Sequence, residues 1–103
     1  MKVTEAQIKR WKAKYGEVYE IEVEMDEEGK DIAVGYFRKP DLNVIAAVAR
    51  FAESDPVKSG IVLFENTWLG GDERIKEDDE AKLGVIQQLQ GVFKAKTARL
   101  KKL

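Results

Sequence analysis

From Tyr19 to Met25 the apolar residues Tyr19, Ile21, Val23 and Met25 alternate strictly with Glu20, Glu22 and Glu24. A period of two puts successive side chains on opposite faces, so this stretch is a strand with one apolar face and one face of carboxylates. The polar Asp26-Glu27-Glu28-Gly29-Lys30 follows and carries a turn glycine. A second run from Asp31 to Phe37 is then rich in strand formers. Together they predict an antiparallel β-hairpin, in which a turn of this length leaves the strand register open.

The rest of the chain has helical spacing. Thr4-Glu5-Ala6-Gln7 matches a capping box, with the Thr4 hydroxyl and the Gln7 side chain exchanging hydrogen bonds. Ile8, Trp11 and Tyr15 recur one helical turn apart, and Gly16 supplies the stop, so a helix is expected over 4–15. Pro40 ends the second strand, and Asp41 is a good N-cap for a helix carrying the stripe Leu42, Ile45, Val48, Phe51 and Ala52. Asp55 and Pro56 stop and restart the pattern as N-cap and first helical residue. Val57, Gly60, Ile61, Phe64 and Trp68 continue at helical spacing to Gly70-Gly71, which reads as a helix stop and tight turn. Asp78 or Asp79 then caps a long last helix with Leu83, Ile86, Leu89, Phe93 and Leu100 on one side, interrupted by Lys96. The expected fold is α+β: an N-terminal helix, an antiparallel β-hairpin, and a three-helix C-terminal portion with a long last helix. The 103 residues are expected to form one globular domain, 1–103.

Composition narrows the chemistry. The chain has no cysteine, which removes disulfides, thiolate metal sites and a cysteine nucleophile. It has no histidine either, and so lacks the commonest metal ligand and the side chain titrating nearest neutrality. No Ser, Lys or Tyr stands beside a recognisable base, so no catalytic residues are assigned and a non-enzymatic protein is expected, without a cofactor. The start of the chain leads into charged residues rather than an apolar core, and no apolar run approaches the ~20 residues of a membrane span. A cytoplasmic protein with no membrane partner is the expectation.

A formal net charge of −1 hides strong segregation. Residues 1–15 carry five basic and one acidic residue, and residues 17–31 carry eight acidic and one basic, nets of +4 and −7. Residues 72–80 have a net of −4, and residues 94–102 carry five basic residues and no acid. Basic helix ends and acidic loops that solvate the surface account for such a pattern. An acidic hairpin face that docks on a basic partner, or mimics a nucleic-acid backbone, accounts for it equally in kind. The open edge of a two-stranded ribbon also invites strand addition.

Other clusters are weaker. Asp72, Glu73, Glu77, Asp78, Asp79 and Glu80 miss the spacing of a calcium loop, as does the 26–31 segment, so no metal site is assigned. Gly70-Gly71 follows a helical pattern and precedes no Gly-Lys-Ser/Thr, which argues against a phosphate loop. The basic end, Lys94 to Lys102, has only Phe93 for stacking, so nucleic acid is not the expected partner. Trp11 and Trp68 read as core, or as interface anchors where exposed.

Tyr36-Phe37-Arg38-Lys39-Pro40 closes a strand, and a helix, Asp55-Pro56 and an apolar helix follow. Trp68-Leu69-Gly70-Gly71-Asp72, Ile75, Asp78-Asp79 and a closing helix ending in lysines complete the order. This pattern resembles small proteins of tailed bacteriophages and prophages grouped as tail assembly chaperones. The resemblance implies a non-enzymatic protein of the infected bacterium that binds the long helical tape-measure protein, keeps it soluble and is absent from the mature virion. It defines no functional residues. The candidate protein-binding residues are Glu20, Glu22 and Glu24 on the hairpin, with Trp68, Leu69, Ile86, Leu89 and Phe93 on the helices. The alternatives are an acidic phage-encoded inhibitor of a host nucleic-acid-binding or defence protein, a minor connector component of the tail, and a carboxylate-dependent metalloenzyme using 72–80. The last helix's stripe serves a core or a homo-oligomer equally well.

Overall fold

The computed structural model describes residues 2–103. Its elements run α1 (Glu5–Tyr15), β1 (Val18–Glu24), β2 (Ile32–Arg38), α2 (Leu42–Ala49), α3 (Pro56–Thr67), β3 (Trp68–Gly71), α4 (Arg74–Glu77) and α5 (Asp79–Leu89). The class is α+β, with one antiparallel sheet in the order β1-β2-β3.

Local chemistry sets the element ends. The capping box forms: the Gln7 N–H donates to Thr4 Oγ1 at 3.2 Å, and the Thr4 N–H donates to Gln7 Oε1 at 2.9 Å. In the hairpin turn, Asp26 Oδ1 accepts the Lys30 and Asp31 N–H groups at 2.9 and 3.1 Å. That acceptor locks the register left open above, which pairs Val18 with Arg38 and Glu24 with Ile32. Asp41, Asp55 and Asp78 each cap the helix that follows, accepting from Val44, from Lys58, and from Glu80 and Ala81. Each cap satisfies N–H groups that have no partner within the helix.

Directly paired residues share a face of the sheet, so Tyr19, Ile21 and Val23 lie with Phe37, Gly35 and Ala33. Ala33 and Phe37 on this face join Val44, Leu63, Phe64, Ile75, Val85, Ile86 and Leu89 in the core, with Ile21, Val23, Met25, Val48 and Trp68 packed against it. The opposite face carries Glu20, Glu22 and Glu24 beside Tyr36, Val34 and Ile32. Trp11 of α1 covers part of it, with its ring centroid 6.0 Å from that of Tyr36.

The structure differs from the sequence pattern in three places. Helix α3 stops at Thr67, and Trp68–Gly71 is a third strand rather than a helical end and turn. The pairs Tyr36 with Gly70 and Phe37 with Trp68 leave Leu69 as an extra residue, a β-bulge. Gly71 has φ of 134°, and a Cβ there would overlap the Val34 carbonyl oxygen, so the strand passes β2 only as glycine. Second, α5 ends at Leu89, well before Leu100. From Lys94 onward a lysine-rich, fully exposed stretch offers no apolar face, and a helix gains most of its stability by packing one. Third, Leu42 is exposed, while Val44 turns inward.

Candidate protein-binding surfaces

Between α3 and α5 runs an open groove of about 630 Å³. One face of each helix lines it. Pro56, Val57, Gly60 and Ile61 come from α3, and Leu83 and Ile86 from α5, with Asp79, Lys82, Gln87 and Gln90 along the rim. Gly60 permits the close approach of the two helices, since a Cβ there would lie 2.9 Å from Ile86 Cγ2. Ile86 on the floor is buried, but Val57 and Leu83 remain 73% and 56% exposed on the walls. Both line the same open groove, which gives it exposed apolar side chains from each helix.

The second surface is the outer face of the hairpin. Glu20, Glu22 and Glu24 are all exposed in a row along β1. The Tyr36 hydroxyl donates to Glu20 Oε1 at 2.8 Å, and this bond holds the phenol above its ordinary range. On the core-side face at the same end of β1, the Tyr19 hydroxyl donates to Glu17 Oε2 at 2.6 Å. That bond first, and the Lys39 ammonium next, hold the Glu17 carboxyl below its ordinary range. Beside the row, a shallow cleft of about 260 Å³ is lined by Val3, Ile32, Val34 and Tyr36, among others.

The predicted residues therefore divide among separate places. Ile86 lies on the groove floor and Leu89 lies wholly inside the core beneath it. Trp68 packs into an aromatic cluster, 5.4 Å from the Phe37 ring centroid at 78° and stacked 5.6 Å from Phe64. Leu69 is half-buried in the bulge, and Phe93 is half-buried beyond the end of α5. The three glutamates form the acidic row on the other side of the sheet.

The 72–80 acids are held by local structure. Arg74 clamps two of the carboxylates, with Nη1 to Asp31 Oδ2 at 2.7 Å and Nη2 to Asp72 Oδ2 at 2.9 Å. Its hydrogen bonds hold both the Asp31 and Asp72 carboxyls below their ordinary range and raise its own pKa. Glu73 pairs with Lys76, and Asp78 is a helix cap. Among the described residues, no group of three or more acidic side chains is arranged to hold a metal ion.

The sequence reading missed Val57 and Leu83 as surface residues because both sit in stripes that read as core. The available signal was Gly60, a glycine inside a helix, which marks close helix packing. Among the described residues, no helix is long and apolar enough to cross a membrane.

No family model and no curated protein matches the chain. Among solved structures, the chain is similar to the uncharacterised protein rbstp2171 from Bacillus stearothermophilus. The two share 22% identity over 92% of this chain and 99% of that one, with a TM-score of 0.62. A likeness at this level of identity is one of fold.

Proposed function

We propose that this protein is a non-enzymatic binding module whose α3–α5 groove holds an amphipathic helix of a protein partner. The observation that carries the reading is the pair Val57 and Leu83, exposed across an apolar floor. Helices α3 and α5 have 12 and 11 residues, about 16–18 Å at 1.5 Å per residue, and so match about three turns of a third helix. Apolar residues of that helix at i, i+3 or i+4, and i+7 would seat between the two walls.

The resemblance to tail assembly chaperones names the partner class: the long, helical tape-measure protein of a tailed phage or prophage. In this reading the protein acts in the cytoplasm of the bacterial host, shields apolar stripes of the tape measure until the tail tube encloses it, and is left out of the virion. The absence of His and Cys from the sequence supports a binding role over a catalytic one. Co-expression with the tape-measure protein of the same genome tests this. The expected result is a soluble complex and more soluble tape measure than without the protein. No complex and no gain in solubility would overturn it, and recovery of the protein from purified virions would point to a connector instead.

The exposed acidic row favours a second reading, an inhibitor that offers Glu20, Glu22 and Glu24 to a basic host factor. Converting the three to lysine would abolish inhibition, and inhibition that survives the change would remove the hairpin as its surface.

A further inference from the structure

Strand β1 lies at the edge of the sheet with half of its backbone hydrogen-bonding groups unused. In an antiparallel ladder, alternate residues exchange both bonds with the neighbouring strand and those between point away from it. The Met25 N–H donates to the Asp31 carbonyl at 2.7 Å, and the Lys39 N–H donates to the Glu17 carbonyl at 3.4 Å. With the register, residues 17, 19, 21, 23 and 25 are the paired set. Val18, Glu20, Glu22 and Glu24 therefore aim their N–H and C=O groups at the open edge. The same three glutamates offer carboxylates on the face and a free backbone at the rim.

This edge selects its partner by charge. A second β1 would set glutamate rows side by side, a destabilising arrangement of like charges. An extended segment with cations at alternate positions would fit, and the chain contains one. Residues 93–103 have no regular secondary structure, and from Lys94 onward every residue is exposed. Among the described residues, this segment makes no hydrogen bond or ion pair to the rest of the protein. At strand spacing Lys94, Lys96 and Lys102 share one face with Ala98 and the fully exposed Leu100, while Arg99 and Lys101 lie on the other.

The segment follows α5, which packs against β1. A second copy can present the segment antiparallel, the more stable ladder, and a two-fold exchange makes each copy both donor and acceptor. The radius of gyration of 15.6 Å, against about 13 Å for a compact chain of this length, reflects how far the structure extends.

We propose that the segment beginning at Lys94 in one copy adds as a strand to the β1 edge of a second copy, and the reverse, with Lys94, Lys96 and Lys102 on the face that carries Glu20, Glu22 and Glu24. The product is a closed homodimer whose α3–α5 grooves stay free. It does not depend on the groove's occupant.

Light scattering coupled to size exclusion tests the pairing, with circular dichroism confirming that each variant is folded. The expected mass at low salt is twice 11.7 kDa, falling to 11.7 kDa at high salt and in a variant lacking residues 94–103. One charge-reversed variant carries Glu20→Lys, Glu22→Lys and Glu24→Lys. The other carries Lys94→Glu, Lys96→Glu and Lys102→Glu. Each alone would be monomeric, because edge and segment then share a sign. Mixed, they would form a heterodimer, since both exchanges become complementary. A monomeric parent chain at low salt overturns the proposal, as does a dimer that survives the deletion or either reversal. Slow amide exchange along the β1 edge in a monomer would also overturn it, by assigning the segment to its own sheet.

Discussion

Gly60 of α3 lies directly against Ile86 of α5, so close that a Cβ at Gly60 would come within 2.9 Å of Ile86 Cγ2. That atom belongs to a β-branched side chain near the helix axis, in the floor of a packed core, and has little room to give way. The contact sets the depth of the groove. Gly60→Val would overfill it and destabilise the protein by about 1–3 kcal/mol. Urea unfolding would show this as a lower midpoint at unchanged slope.

Gly71 is the residue that lets β3 form. Its backbone conformation is one that side chains rarely adopt, and its nearest neighbours are the Val34 carbonyl and Gly35 Cα. Gly71→Ala is expected to cost about 1–3 kcal/mol, read by thermal unfolding, with loss of the packed environment of Trp68. Gly84 gives the contrast. It sits inside α5 with nothing within 4 Å of its would-be Cβ, so Gly84→Ala should stabilise by about 0.5–1 kcal/mol.

Arg74 ties the hairpin turn to the segment after β3 through Asp31 and Asp72. Both carboxyls, and that of the helix cap Asp41, are held below their ordinary range in the folded protein. A depressed carboxyl pKa adds stability above the ordinary range, about pH 4, and that stability is lost as pH falls through the folded value. Stability should therefore decline in acid. Arg74→Ala should be less stable than the parent at neutral pH but lose less on acidification, so the two curves converge at low pH. Salt should narrow the difference at neutral pH, because the pairs are exposed. Denaturation midpoints measured across acid and neutral pH check both statements.

Much of the fold was legible because local chemistry and tertiary packing agree. The Thr4 and Gln7 capping box, the Glu-lined strand and the caps Asp41 and Asp55 each stand where their side chains predict, and of Asp78 and Asp79 it is Asp78 that caps α5. Strand β3 was not legible. Trp68 falls at helical spacing from Phe64, and Gly70-Gly71 reads as a stop; only pairing with β2 and the bulge at Leu69 make the segment a strand. The end of α5 was misread because Phe93 and Leu100 keep the helical period, although only Phe93 is half-buried and Leu100 is fully exposed. The groove was half legible. Ile86 was singled out, but periodicity cannot tell a core residue from a wall residue such as Leu83, because both lie on the same stripe.

Leu83 and Val57 separate binding from folding, since both are exposed and their replacement should change stability by less than about 0.5 kcal/mol. The most direct measurement titrates helical segments of the tape-measure protein into the parent chain and into Leu83→Glu by calorimetry, with unfolding curves recorded for both proteins. The groove reading predicts saturable binding by the parent and a loss of at least about tenfold in affinity, about 1.4 kcal/mol, in an equally stable Leu83→Glu. No binding by the parent, or equal binding by the variant, would contradict it.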